Sequence, residues 1–223
     1  MSVYGRDDPA YLGEALHSLG AQSRRADEIV LVEDGPLTPE LARTIETFRA
    51  DLNIVSVRLA ENWGLAHALN EGLKRCQNEL VARMDADDVC LPNRFEVQAA
   101  RFEADPTLDV LGSSAIEIDQ GGKRGALRRV PKPHEGIVEN LWLCPFIHPS
   151  IMMRAARLRA LGGYNSALRR RQDYELWFRC HRMGLRLANV DRPLILYRFT
   201  AATLGKQSLR LAWEQSMIGL KGV

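Results

Sequence analysis

The stretch Glu79-Leu80-Val81-Ala82-Arg83-Met84-Asp85-Ala86-Asp87-Asp88 decides how this chain is read. Glu79 to Met84 is a short apolar run of strand character, and three carboxylates follow within four residues. Like charges that close disfavour one another's ionised form, a cost that a cation or solvent relieves. A hard divalent ion takes oxygen ligands, commonly one or two carboxylates together with substrate phosphates. An Asp-x-Asp directly after a strand therefore suits the holding of Mg²⁺ or Mn²⁺ against a diphosphate. A solvated acidic turn is the plain alternative.

The flanking sequence places this stretch in a repeating pattern. Pro9 to Gln22 puts Leu12, Ala15, Leu16 and Leu19 on one helical face, and Glu28 to Val32 reads as a buried parallel strand ending in Glu33-Asp34-Gly35-Pro36. Thr38-Pro39 has the form of an N-cap with Pro at the first helical position, and Leu41, Ile45 and Phe48 follow at helical spacing. Ile54 to Leu59 is strand-like, and a helix over Gly64 to Cys76 buries Leu65, Leu69 and Leu73. Pro92 to Glu103 suits a helix and Leu108 to Ile118 a strand. This order predicts an α/β fold with a mostly parallel sheet and helices on both faces. Ligands of such sheets bind beyond the carboxyl ends of the strands, where Asp34 and Asp85 to Asp88 both lie.

Past residue 120 the alternation weakens. Arg124 to His134 reads as a basic, Pro-bearing loop, and Pro145 to Pro149 as a break. Leu158 to Leu161 before Gly162-Gly163 resembles a helix with a glycine stop, and Asp173 to Met183 a helix with Leu176, Trp177 and Cys180 inward. Leu185 to Val190 and Leu194 to Phe199 read as two closing strands separated by Pro193, and Ser208 to Leu220 as an amphipathic helix.

Composition narrows the class. With 223 residues, 46% hydrophobic and a net charge of +2, the chain is long enough to bury a core and is not a disordered polymer. No run nears the roughly 20 apolar residues that span a bilayer, and the start shows no secretory pattern. The four cysteines are scattered without a CxxC pair, which argues against a disulfide framework or zinc site and for a reducing cytosol. Charge is divided unevenly. Residues 1–122 hold 11 Lys and Arg against 22 Asp and Glu, whereas residues 123–223 hold 19 against 6. That split fits a cation site beside a surface that receives anions or anionic lipid, or else two solvated faces of different sign.

The motifs, taken together, resemble those of family 2 glycosyltransferases with the GT-A fold, of the bacterial exopolysaccharide and lipopolysaccharide (amylovoran-biosynthesis) type. Met1-Ser2-Val3-Tyr4 resembles the end of that family's first strand, and Val32-Glu33-Asp34-Gly35 its base-recognition turn. Asn62-Trp63-Gly64-Leu65-Ala66-His67-Ala68-Leu69-Asn70 is similar to its N-x-G-x-x-x-A-x-N segment, and Asp85-Ala86-Asp87-Asp88 to its D-x-D. His148-Pro149-Ser150, Gly162-Gly163-Tyr164-Asn165 and Gln172-Asp173-Tyr174-Glu175-Leu176-Trp177 resemble three later landmarks. The likeness covers roughly residues 1 to 200.

The resemblance implies roles. Asp34 would accept a hydrogen bond from the nucleotide base, and Val3, Tyr4, Asn62, Arg83, Asp85 and Ala86 would line the nucleotide-sugar side. Asp87 would bind Mg²⁺ or Mn²⁺, with Asp88 behind it or capping a helix. Arg83 would pair with a phosphate or merely balance the acids. His148, Gly163, Tyr164 and Trp177 would form the acceptor side, and Asp173 would be the general base of an inverting displacement. The plain alternatives are a buried, satisfied His148, a core Trp177, turn and cap roles for Asn62 and Asn70, and for Asp173 a carboxylate stabilised by a helix N-terminus. Arg169-Arg170-Arg171 would contact a lipid-linked diphosphate or sit solvated.

The expected organisation is a nucleotide-sugar-binding half over 1–120, an acceptor-binding half of the same domain over 121–200 and a helical tail over 201–223. Expected partners are a nucleotide-diphosphate sugar (UDP-sugar favoured), a saccharide or polyprenyl-linked acceptor, and the inner face of the cytoplasmic membrane, touched peripherally through the basic half and 208–220. Nucleic acid is not an expected partner. The chain departs from the family in three places: Met1 starts at the last turn of the first strand, Gly5 stands where Asn is frequent, and Gln172 replaces a frequent Glu. Those departures keep open a catalytically weak GT-A-shaped scaffold. A nucleotidyltransferase is disfavoured because no glycine-rich phosphate loop is evident.

Overall fold

The structure is a computed structural model that describes residues 1–199. The expected tail, including the 208–220 segment, lies outside the described residues. Strands β1 (Ser2–Val3), β2 (Ile29–Glu33) and β3 (Ile54–Arg58) form a parallel sheet in the order β1-β2-β3. The helices between them, α1 (Pro9–Gly20) and α2 (Pro39–Phe48), follow the sequence closely. The Asp8 carboxylate caps α1 by accepting from Ala10 N at 2.8 Å, and Thr38 Oγ1 caps α2 by accepting from Leu41 N at 3.3 Å. Helix α3 (Leu65–Arg75) then leads to β4 (Leu80–Ala82), the strand that delivers the acidic cluster.

The parallel order does not continue through β4. This strand joins a second sheet, pairing antiparallel with β8 (Met152–Arg154), which pairs with β6 (Leu108–Ile118). Strand β6 runs parallel to β9 (Arg186–Arg198), and β9 holds the short β5 (Val89–Cys90) on its far side. Strand β7 (Arg124–Arg128) is a fully exposed hairpin arm on β6, where the sequence predicted a loop. Pro193 does not divide β9 in two as expected. The pairing passes from Ser113↔Val190 to Ser114↔Pro193, so Asp191 and Arg192 bulge out and the proline loses no ladder bond. Strands from both predicted halves thus share one sheet.

Helices cover both faces, and each face has its own core. Leu111 and Met152 pack with α1, α2 and α4 (Arg94–Ala104) through Leu12, Leu16, Leu41, Phe95 and Phe102. Their strand neighbours Val110 and Met153 face the other way. They pack with α3, α5 (His134–Glu139), α6 (Ala155–Ala160) and α7 (Gln172–Arg182) through Leu69, Ile137, Leu158 and Trp177. This alternation is the period-two signature of a sheet buried on both sides.

Between the sheets, β1 reaches only as far as Met1, whose ammonium donates to Val30 O at 3.0 Å. Burial, then Arg83, lowers that amine to about 5. Beyond it lies a half-open cavity of about 440 Å³, lined by apolar residues such as Ile29, Met84 and Phe102 and by charged ones such as Arg24, Glu103 and Arg154. This cavity lies between β2 and β4, and Asp34, Asp87 and Asp173 do not line it.

One clasp ties α3 to the second half. Asn70 Nδ2 donates to Tyr164 O at 2.8 Å and Asn70 Oδ1 accepts from Tyr164 N at 2.8 Å, so a side-chain amide imitates a strand partner. Gly163 makes this approach feasible, since it sits at φ +71° and a Cβ there would lie 2.3 Å from Asn70 Oδ1. Gly163→Ala should therefore destabilise the fold by about 1–3 kcal/mol through the left-handed backbone and the clash. Urea unfolding measures it, and a midpoint equal to wild type would contradict the clasp.

Candidate active site

The acidic cluster forms where the chain leaves β4. Carboxylate oxygens of Asp85, Asp87 and Asp88 lie within 4.8 Å of one another, with Asp87 exposed, Asp85 half-buried and Asp88 buried. Arg83, itself buried, donates to the Asp85 carboxylate and to Met84 O, so it balances the acids rather than standing free for a phosphate. Asp88 Oδ1 accepts from Arg198 N at 2.7 Å, while Asp88 Oδ2 is buried and has no partner among the described residues. Burial, then the charges of Asp85 and Asp87, holds Asp88 well above the usual carboxylate range. Desolvation by the surrounding chain, then Asp85, raises Asp87 as well. Three hard oxygen donors, one of them an orphaned buried oxygen, fit a divalent cation. Ala86 is buried and contributes spacing.

Asp34, at the end of β2, is also buried, and its carboxylate is largely engaged. Oδ1 accepts from Trp63 N at 2.9 Å, and Oδ2 accepts from Gly64 N at 3.0 Å and Asn62 Nδ2 at 3.1 Å. The N-x-G motif is thus a turn folded over Asp34, with Gly64 at φ +90° opening α3. A carboxylate can accept about four hydrogen bonds, so little capacity remains for a base. Asn62 spends its amide on Asp34, as the turn reading expected. Val3 is wholly buried and acts through its carbonyl, which accepts from Asp34 N at 2.8 Å. Tyr4 and Trp63, 40% and 56% exposed, are the open aromatic surfaces beside this turn.

The later landmarks build a buried wall. His148 Nε2 and Tyr164 Oη are 2.9 Å apart, and His148 also meets the Trp177 ring edge-on at 6.1 Å between centroids. Trp177 is fully buried against Phe146, which corrects its expected place on the acceptor surface: it supports His148 from behind. Gly163 is likewise buried and belongs to the Asn70 clasp. Asp173 is half-buried in the first turn of α7, whose N-cap Arg171 is left-handed at φ 62°. Arg83, Asp85 and Asp173 all act electrostatically on the His148–Tyr164 pair. The wall therefore stands within reach of both the acidic cluster and Asp173.

Three residues escaped the sequence reading. Asp7, in the loop after β1, accepts from Tyr4 N at 2.9 Å, and its carboxyl is raised to about 7, by burial first and by Asp87 and Asp85 in part. Arg94 is fully buried beneath the cluster and donates to Arg83 O at 2.7 Å and Ile151 O at 3.1 Å. Arg198 is the third. Asp7 sits in a loop, Arg94 in a helix and Arg198 at a strand end, and none has a spacing that marks it.

Burial, and then Arg83, lowers His148 from 6.5 to about 4, against smaller opposing effects of Asp173 and Asp85. The unfolded chain takes up this proton near pH 6.5, whereas the folded chain resists it until about 4. Stability from this site is therefore complete above pH 6.5 and is lost as pH falls toward 4. His148→Asn should flatten the stability-versus-pH slope in that window by one proton, read from urea midpoints. An unchanged slope would mean that His148 titrates normally.

Comparison with known proteins agrees with this geometry. The sequence profile of Glycosyl transferase family 2 matches residues 1–192. The amylovoran biosynthesis glycosyltransferase AmsE of Erwinia amylovora is 37% identical over 208 residues, covering 93% of this chain and 77% of that one. An Escherichia coli UDP-Gal:alpha-D-GlcNAc-diphosphoundecaprenol beta-1,3-galactosyltransferase is 32% identical over 204 residues, covering 91% and 74%. Among solved structures, Staphylococcus aureus TarS 1-349 in complex with UDP-GlcNAc superposes with a TM-score of 0.77 at 19% identity, over 98% of this chain and 64% of that one. Pyrobaculum calidifontis PcManGT in complex with GDP-Man and Mn²⁺ gives 0.65 at 20% identity, over 87% and 55%. At those identities the two structures share the GT-A fold. With the profile spanning nearly all described residues and the acidic cluster, Asn–Gly turn and α7 in family order, this chain belongs to glycosyltransferase family 2.

Proposed function

We propose that the protein transfers one sugar, with inversion, from a nucleoside-diphosphate sugar to a hydroxyl of a saccharide or polyprenyl-linked acceptor in bacterial surface-polysaccharide synthesis. The observation that carries this reading is the buried His148–Tyr164 wall, which lies within electrostatic reach of Arg83 and Asp85 as well as of Asp173. A donor diphosphate at the cluster and an acceptor at Asp173 would then share one site. UDP is the favoured nucleotide, since the TarS relative was solved with UDP-GlcNAc and the Escherichia coli relative is named for UDP-Gal.

Asp87 and the free oxygen of Asp88 would hold Mg²⁺ or Mn²⁺, with Asp85 kept close by Arg83. Bound there, the cation would neutralise charge that builds on the departing nucleoside diphosphate. Asp173 would take the proton of the attacking hydroxyl, a role worth about 10²–10⁴ in rate. His148, neutral at physiological pH and bonded to Tyr164, would shape the acceptor wall without adding charge.

The setting proposed is the cytoplasmic face of the membrane. Among the described residues, no helix is long and apolar enough to cross a bilayer. Leu143 and Trp142, 76% and 43% exposed, lie in the turn Leu141–Leu143. The next residue, Cys144, has Arg171 and Arg128 in its surroundings. Residues 121–171 carry 11 Lys and Arg against 2 Asp and Glu. Apolar tips among cations suit an anionic interface. A GT-A-shaped scaffold is the second reading, favoured by an Asp34 carboxylate already engaged by three hydrogen bonds within the chain.

Wild type with Mn²⁺ should release UDP from a UDP-sugar, while Asp87→Ala and Asp173→Asn should each lose about 100-fold or more of that turnover. Equal rates in all three would favour the scaffold. Flotation with phosphatidylglycerol vesicles should show salt-sensitive binding that Trp142→Ser/Leu143→Ser weakens. Binding unaffected by those changes would detach the 141–143 turn from the membrane.

A further inference from the structure

Arg198 closes β9 and is locked by its register against Ile118 and by Phe199 N donating to Ile118 O at 2.8 Å. Its side chain has no exposed surface. From that fixed point it touches the acidic turn twice. Its backbone N–H donates to Asp88 Oδ1 at 2.7 Å, and its Nε donates to Asp87 O at 2.8 Å. The rest of the guanidinium grips structure on the other side. Nη1 donates to Asp119 O at 3.1 Å and Gln120 O at 3.2 Å, and Nη2 pairs with Glu14 Oε2 at 2.5 Å. The Tyr11 ring lies beneath it at 4.0 Å, and Tyr11 Oη donates to the same Gln120 carbonyl at 3.0 Å.

We infer that Arg198 is the positioning residue of the cation site, a role that rests on the metal reading above. One oxygen of Asp88 is spent on the backbone N–H of residue 198, whose place the anchored guanidinium holds, and this leaves the other oxygen, buried and unpartnered, as the ligand atom. The Nε bond fixes the peptide after Asp87, so the exposed Asp87 carboxylate is carried on a held backbone rather than on a free turn. The guanidinium charge also offsets repulsion at Asp87. Lysine could supply that charge but not the planar fork that bonds Asp87 O, Asp119 O, Gln120 O and Glu14 together. Groups that orient metal ligands from behind typically carry 10–100-fold of metal affinity.

The test is Mn²⁺ titration of the whole chain, followed by the electron-spin signal of free Mn²⁺, with melting temperature of the metal-free protein measured in parallel. Arg198→Lys should weaken Mn²⁺ binding about 10-fold or more and Arg198→Met about 10–100-fold. A merely structural arginine would lower the melting temperature and leave the affinity of the folded protein within twofold of wild type, and that result overturns the proposal. Should neither variant fold, Tyr11→Leu/Glu14→Gln on α1 removes the props of the guanidinium without touching the acids. It should weaken Mn²⁺ several-fold, and wild-type affinity there also overturns the role. If wild type itself takes up no Mn²⁺, the cation reading fails first and Arg198 has nothing to position. If wild type binds and every variant matches it, only the positioning role fails.

Discussion

Mutual repulsion among Asp85, Asp87 and Asp88 is the constraint around which this molecule is built. Three carboxylates with oxygens within 4.8 Å oppose folding unless charge is compensated nearby. The chain compensates only in part. Arg83 takes Asp85, Arg94 braces the strand end from below through Arg83 O, and Arg198 donates its backbone N–H to Asp88 and its Nε to Asp87 O. Asp88 and Asp87 remain with raised proton affinity, and Asp7 nearby shares the burden. What is left uncompensated is a demand for positive charge at the end of β4.

The position of that demand follows from the second sheet. Strand β4 is only three residues long and is held by β8, which is held by β6. Strand β6 in turn carries β9, so the cluster and its brace Arg198 hang from one continuous ladder. Helix α7, with Asp173 in its first turn, packs on the opposite face of that sheet through Trp177. Distant parts of the sequence are thereby referred to a common frame, and exact placement does not depend on loops alone.

The first half of the fold was legible because its signals are local. The Thr38-Pro39 cap, the i, i+4 spacing of Leu41 and Ile45, and the apolar run Ile29 to Val32 each belong to one element and were borne out to within a residue or two. Strands β5, β7 and β8 were not legible. They are two to five residues long; the partners of β5 and β8 lie far away in sequence, and β7, though it pairs with the adjacent β6, is exposed throughout and carries no apolar alternation. Pro193 misled for the opposite reason, since a bulge absorbed the break that a proline normally signals. At the site, residue chemistry alone marked Asp85 to Asp88, whereas Asp173 was distinguished from an ordinary helix-end acid by resemblance alone. Arg198 was invisible, because its meaning lies entirely in partners at positions 14, 87, 88, 119 and 120.

The amide of Asn70, seated on the backbone of Tyr164, has a consequence for modularity. It rivets α3 to the turn that precedes α7, so neither can be exchanged alone. A chimera that imports a new second half must bring a glycine at 163 and keep the asparagine at 70, or the graft seam opens between α3 and the turn before α7.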